Sequence, residues 1–246
     1  MKVDAFFTAN SVVSAEVEGK AAVVIDVIRA TSTIVTALAS GARALYPTVS
    51  SEEAIKLVSS LGREDTLLCG ERKGLRIEGF DLGNSPAEYT EDVVRDKRLV
   101  MTTTNGTRAI PAAEEADRVV AACFLNLDAV VESLANEGEV VIVCAGKEDR
   151  FSLDDAACAG YLIQGLEERT GDAPEVNDAA QAAQRLAQAL PFDEAFLRST
   201  RAGQALVEIG LGSDLSLCAR RDVYDLVPVM KDRTIRVTHG SGSGAE

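Results

Sequence analysis

Ala22-Val23-Val24-Ile25-Asp26, running on into Val27-Ile28-Arg29-Ala30-Thr31-Ser32-Thr33, is the stretch on which the reading of this chain turns. A continuous apolar run of this length is strand-sized, and it stops at a carboxylate, an arginine and a cluster of hydroxyls. The same construction recurs along the chain. Further strands are expected at Val3–Phe7, Ala44–Thr48, Thr66–Cys69, Arg98–Thr102, Arg118–Ala122 and Glu139–Cys144, with helical segments between them. Ser50 and Glu53 form a capping box, and Gly62 ends that helix. Asn126 is placed to cap a helix over Leu127–Ala135. Ser152 with Asp155 opens one running to about Arg169, and Asn177 one running to Leu190, where Pro191 stops it. This alternation predicts an α/β fold, a largely parallel or mixed sheet with helices on both faces. Val227–Met230 and Thr234–Val237 read as late strands after a mainly helical stretch. Residues 1–238 read as one domain, with a second lobe that could begin near residue 120, and the small polar residues 239–246 as a disordered tail.

The chain has 246 residues, 46% hydrophobic and 26% charged, as a globular protein with a sizeable core has, and a net charge of −14. So acidic a chain is unsuited to sequence-independent binding of nucleic acid or of acidic membranes. Its apolar runs are too short to span a bilayer, and Met1-Lys2-Val3-Asp4 opens no export signal, so a cytoplasmic protein is expected. Whether it forms a homo-oligomer is left open. Five scattered cysteines without a CxxC pair read as reduced and mostly buried. The only histidine, His239, lies in the tail, which argues against zinc and against a Ser–His–Asp or Cys–His arrangement. No Gly-Lys-Ser/Thr loop is present, which excludes a P-loop NTPase.

Four strand ends carry the candidate chemistry, because ligands bind at the carboxyl ends of parallel strands. After Met101 come Thr102, Thr103, Thr104, Asn105, Gly106 and Thr107, which offer side-chain donors and amides before a helix, a phosphate cradle. Arg29, Thr31 and Ser32 offer a guanidinium and hydroxyls for the same task, and Asp26 must be paired, capped or metal-bound. The loop from Gly70 to Pro86 is long and glycine-punctuated. Arg72, Lys73 and Arg76 there supply positive charge, Glu71 and Asp81 hard oxygen ligands suited to magnesium, and Asn84 and Ser85 further polar groups. Ordinary solvated surface is the competing reading for any one of these charges. Gly146 follows the fourth strand, and Asp154 and Asp155 follow in turn. Asp155 reads first as a dipole-favoured helix cap and second as a metal ligand, whereas Asp154 reads as ligand or base. The candidate catalytic set is thus Asp26, Arg29, Glu71 and Asp154, and the candidate metal set Asp26, Glu71, Asp81 and Asp155.

These stretches together resemble the 2-phosphosulfolactate phosphatase family. The resemblance rests on Asp26–Thr33, Gly70–Arg72, Gly79–Pro86, Thr102–Thr107, Cys144–Gly146 with Ser152–Asp155, and on Asp214, Cys218 and Val227-Pro228. It implies a magnesium-dependent enzyme, associated with coenzyme M biosynthesis, that hydrolyses (2R)-2-phospho-3-sulfolactate to 3-sulfolactate and phosphate. A substrate of that charge would call on Arg29, Arg72, Arg76 and Mg²⁺ together. Two alternatives stand beside it: a phosphatase of a related 2-phospho hydroxy acid, and a binding protein for a phosphorylated metabolite without turnover.

Overall fold

The computed structural model describes residues 1–104 and 106–237, with residues 106–108 described by backbone alone. His239 and the predicted tail, like Asn105, lie outside the described residues. The strands are β1 Lys2–Phe6, β2 Ala21–Ile25, β3 Ala44–Pro47, β4 Thr66–Arg72, β5 Leu75–Arg76, β6 Arg98–Thr102, β7 Arg118–Ala122, β8 Glu139–Cys144, β9 Glu175–Val176, β10 Pro228–Lys231 and β11 Thr234–Val237. The helices are α1 Ser14–Val17, α2 Ala30–Ala39, α3 Ser51–Leu61, α4 Glu91–Val94, α5 Gly106–Ala112 and α6 Leu127–Leu134, then α7 Leu153–Thr170, α8 Asp178–Ala189, α9 Glu194–Ser199, α10 Arg201–Glu208 and α11 Asp214–Cys218.

The strands form one mixed sheet in the order β5-β4-β6-β3-β11-β10-β7-β2-β8-β1-β9. β4, β6 and β3 are mutually parallel, and so are β7, β2, β8, β1 and β9. The β10–β11 hairpin joins the two sets, antiparallel to β7 on one side and to β3 on the other. Three successive antiparallel pairings separate β7 from β3, so the two parallel halves run in opposite directions. The premise that all four functional strands end on one sheet edge is therefore corrected. The chain beyond residue 120 is interleaved with the chain before it, β8 lying between β1 and β2.

Alternation along each strand divides the core. Ala22 and Val24 of β2, Val119 and Ala121 of β7, Val141 and Val143 of β8, Leu99 and Met101 of β6, and Cys69 of β4 all face one cluster with Ile34, Ala37 and Leu38 of α2 and Ala109 and Ile110 of α5. Val23, Ile25, Val120 and Ile142 face the other side, against α6, α7 and α8. Val100 and Leu68 meet α3 in a smaller cluster. Both oppositely directed halves thus turn the same face to α2 and α5, and the sheet bends round these two helices.

The capping readings divide. Ser50 accepts from the Glu53 amide at 3.1 Å and Asn177 from the Ala180 amide at 2.8 Å, as expected. Asn126 does not cap α6; its Oδ1 accepts from the Cys123 amide and its Nδ2 donates to Ala121 and Leu226 carbonyls. At Ser152 the hydroxyl donates to Asp154 at 2.7 Å instead of capping α7. No helix among the described residues is long and apolar enough to cross a membrane. All five cysteines are free and buried.

Candidate functional site

The ends of β2, β4 and β6 and the segment after β8 open on one cleft of about 530 Å³. Its inner wall holds Asp26, Arg29, Glu71, Asn84, Thr103 and Thr104. Lys147 comes from the turn after β8, and Arg201, Gln204, Glu208 and Ile209 come from α10 and the residue after it.

Asp26 stands at the end of a strand with every residue buried, and is itself only 5% exposed. Its Oδ1 accepts from the Ala30 amide at 3.3 Å. Burial pushes its pKa up to about 7, and the negative charges of Asp154 and Glu71 add to this, against the pull of the Ala30 amide and Arg29. A carboxyl group that titrates near neutrality in a cleft is suited to taking and returning a proton.

Asp155 does not cap its helix. Its two oxygens accept from the Val27 amide at 2.8 Å and the Gly146 amide at 3.1 Å, tying the chain after β2 to the chain after β8. Burial and the charges of Asp154 and Asp26 raise its pKa well above the carboxylate range. Gly146 has a φ of +69°, and a Cβ there would run into the Arg150 carbonyl, so the tight turn requires glycine. Asp154 is buried too; burial raises its pKa while the hydrogen bond from Ser152 and the charge of Lys147 oppose the rise.

Glu71 performs the matching task in the other half of the sheet. β4 continues past Cys69 and turns back through β5, pairing Glu71 with Arg76. The Glu71 carboxylate accepts from the Thr104 amide and the Gly74 amide, each at 2.6 Å, and from the Thr104 hydroxyl at 3.1 Å. It fixes the threonine loop after β6 against the β4–β5 turn.

Arg29, 4% exposed and preceded by a cis peptide, donates to Asp214 at 2.7 Å and to the Gly74 carbonyl at 2.7 Å. The other Asp214 oxygen accepts from Ser85 at 2.7 Å. Gly74 has a φ of +83°, and a Cβ there would sit 2.5 Å from the Ile209 side chain. The turn that receives Arg29 thus also packs under the residue closing α10.

Several expected residues lie elsewhere. Thr31 and Ser32 are buried and bond to the backbone of Asp26 and Val27, so their hydroxyls shape the turn rather than line the cleft. Ser85 reaches the site only through Asp214. Arg72 donates to Thr102 at 3.0 Å and to its neighbour's carbonyl. Arg76 is exposed and contacts the Asp81 carbonyl at 3.4 Å. Asp81 pairs with Arg63 at 2.9 and 3.1 Å and accepts from the Leu68 amide, which keeps it out of the cleft. Gly106 opens α5, while the side chain of Thr107, like all of Asn105, lies outside the described residues. Lys147, Arg201, Gln204 and Glu208 escape sequence reasoning. They sit on a turn and an amphipathic helix without a motif, and only the cleft brings them together.

The two cysteines at strand ends are not part of the cleft. Burial pushes the Cys69 thiol up to about 12 and the Cys144 thiol well above its usual range, the opposite of what a thiolate nucleophile needs.

The donors are suited to a hard cation. The acids of the cleft wall, Asp26 and Glu71, offer only oxygen, and Asn84 adds a buried carbonyl oxygen, Oδ1, that has no hydrogen-bond partner among the described residues. Among the described residues no three acidic, histidine or cysteine side chains converge as a ready-made cage. Magnesium does not require one, since it commonly takes one or two carboxylates and completes its shell with substrate oxygens and water.

A family model described as 2-phosphosulpholactate phosphatase matches residues 6–233. The chain belongs to the 2-phosphosulpholactate phosphatase family. Relatives named probable 2-phosphosulfolactate phosphatase include one from Clostridium acetobutylicum, 44% identical over 229 residues, covering 93% of this chain and 97% of the relative. Another, from Clostridium perfringens, is 42% identical over 240 residues and covers 96% of each chain. One from Pseudothermotoga lettingae is 43% identical over 217 residues, covering 87% of this chain and 91% of the relative. The family match spans every segment that builds the cleft, from β2 to α11.

Proposed function

We propose that this chain is a phosphoric monoester hydrolase that releases phosphate from (2R)-2-phospho-3-sulfolactate and leaves 3-sulfolactate. The supporting observation is that family membership over nearly the whole chain coincides with a cleft holding a buried Asp26, with a pKa of about 7, beside Arg29. Phosphoryl transfer asks for charge stabilisation, positioning and proton handling. Arg29, held by Asp214 and Gly74, places its guanidinium where the phosphoryl oxygens would sit. Thr103 and Thr104, fixed in part by Glu71, extend that wall. In the reaction a water oxygen bonds to phosphorus, the ester P–O bond breaks, and the leaving alkoxide gains a proton. Asp26 is the group to accept the proton of the attacking water and to return it to the leaving alkoxide.

Magnesium belongs to the same proposal, with Glu71 and Asn84 Oδ1 as the groups that would hold it and Asp26 beside them, free to take the proton. Bound there, it would neutralise charge on the transferring group. The reading also places the enzyme in the cytoplasm, where its buried thiols stay reduced. Phosphate release from 2-phosphosulfolactate, 2-phospholactate and phosphoglycerate, each with Mg²⁺ and with excess EDTA, tests it. Turnover of the sulfolactate ester that EDTA abolishes is expected. Full turnover in EDTA removes the metal from the account, and binding without phosphate release favours the carrier reading.

A further inference from the structure

We propose that Lys147 and Arg201 form a subsite for the sulfonate, the anion of the substrate that does not react. The inference rests on the phosphatase reading and deepens it. A 2-phosphosulfolactate carries three acidic groups on three carbons, and the cleft must hold the two outer ones while the phosphate reacts. The buried cation of the inner wall, Arg29, already has Asp214 at 2.7 Å, so the uncompensated positive charge lies at the rim, in Lys73 of the β4–β5 turn and in Lys147 and Arg201.

Lys147 and Arg201 are on one side of that rim. The charge of Lys147 and the nearby Thr200, the residue directly before Arg201, both favour the ionised form of the buried Asp154 carboxyl. The turn after β8 and the start of α10 therefore abut the same buried acid. Thr200 also caps α10 through the Gly203 amide at 3.0 Å, which fixes the backbone from which Arg201 projects. Both side chains line the cleft, Lys147 half-buried and Arg201 exposed, and among the described residues neither is in an ion pair. In a chain of net charge −14, two cations in one wall of a cleft make a local positive patch suited to an anionic group. Glu148 and Glu208 also line the cleft.

A sulfonate is the anion of a strong acid, charged at any working pH, and its oxygens match a guanidinium and an ammonium together. The lactate ester keeps the phosphate and the carboxylate but lacks the sulfonate, so the pair of substrates isolates this subsite. The quantity to measure is the preference, kcat/KM for the sulfolactate ester divided by that for the lactate ester. Lys147→Ala and Arg201→Ala are each expected to lower this preference roughly 10- to 100-fold, chiefly through KM, the range for a charge-assisted hydrogen bond. Arg201→Lys should retain part of it. A preference unchanged in both alanine variants, or a loss that falls equally on both esters, overturns the subsite. A wild-type protein that releases phosphate from neither ester sinks the phosphatase reading instead. Calorimetric titration with 3-sulfolactate then decides the subsite by itself: binding at least tenfold weaker in the variants supports it, and equal binding overturns it.

Discussion

The two halves of the sheet solve the same local problem with the same kind of group. In the β2–β8 half, Asp155 accepts from the amides of Val27 and Gly146. In the β4–β6 half, Glu71 accepts from the amides of Gly74 and Thr104. Each carboxylate locks two loops that leave neighbouring strands. The difference is what stands beside the lock. Asp155 is shut behind Asp26 and does not line the cleft, whereas Glu71 does. The β2–β8 half adds Asp26 and Asp154, and burial raises the pKa values of all three acids, with neighbouring negative charge adding to the rise at Asp26 and Asp155. One lock serves the backbone alone, and the other also faces the cleft.

This difference can be broken. Asp155→Ala leaves two buried amides without acceptors, at a cost of ~1–3 kcal/mol for each. The variant should melt well below the wild type, with activity lost through unfolding. Glu71→Gln keeps an acceptor of the same shape and should remain folded, but lose roughly tenfold or more in kcat because the Thr104 loop and a charged cleft acid are both disturbed. Chemical denaturation with activity measured on the folded fraction separates the two. An Asp155→Ala protein of wild-type stability would remove the distinction.

The burial of these acids sets a pH dependence whose sign is fixed. The folded-state pKa of Asp26 lies above the unfolded value near 3.8, at about 7, so the folded state binds more protons across that window. Its contribution to stability is complete below pH ~4 and is lost as pH rises through 7. Asp154 and Asp155 shift in the same direction. Metal-free protein should therefore melt several degrees lower at pH 8 than at pH 5, and Asp26→Asn should flatten that slope. An identical pH profile in the variant would refute the assignment. The smallest effect is expected of Cys69→Ser with Cys144→Ser, which should keep most of the activity. A covalent phosphocysteine trapped by acid quench would move catalysis onto sulfur.

Much of this was legible in the sequence, for physical reasons that differ by element. The strands announce themselves because both faces of the central ones are buried, so apolar residues run without a break, as in Val140–Cys144. The reversal between the halves is not legible, since a four-residue strand such as β10 carries no mark of its direction or partners. Asp26, Arg29, Glu71 and Thr104 could be found because a charge or hydroxyl at the end of an apolar strand needs a purpose. Thr31 and Ser32 satisfied that same signal with backbone hydrogen bonds, and Asp81 with Arg63, eighteen residues earlier. The α10 wall was hidden because Arg201 and Gln204 look like the solvated face of any amphipathic helix.

The central claim is that Asp26 carries chemistry at the expense of stability. Asp26→Asn keeps the acceptor for the Ala30 amide and removes only the buried charge. Phosphate release from 2-phosphosulfolactate and the melting temperature should be measured together at pH 8 on wild type and variant. The account predicts a turnover lowered roughly 10²-fold or more, as for other positioned proton-transfer groups, with a melting temperature equal to or above that of the wild type. A variant that turns over normally, or one that melts early and is active when folded, would contradict it.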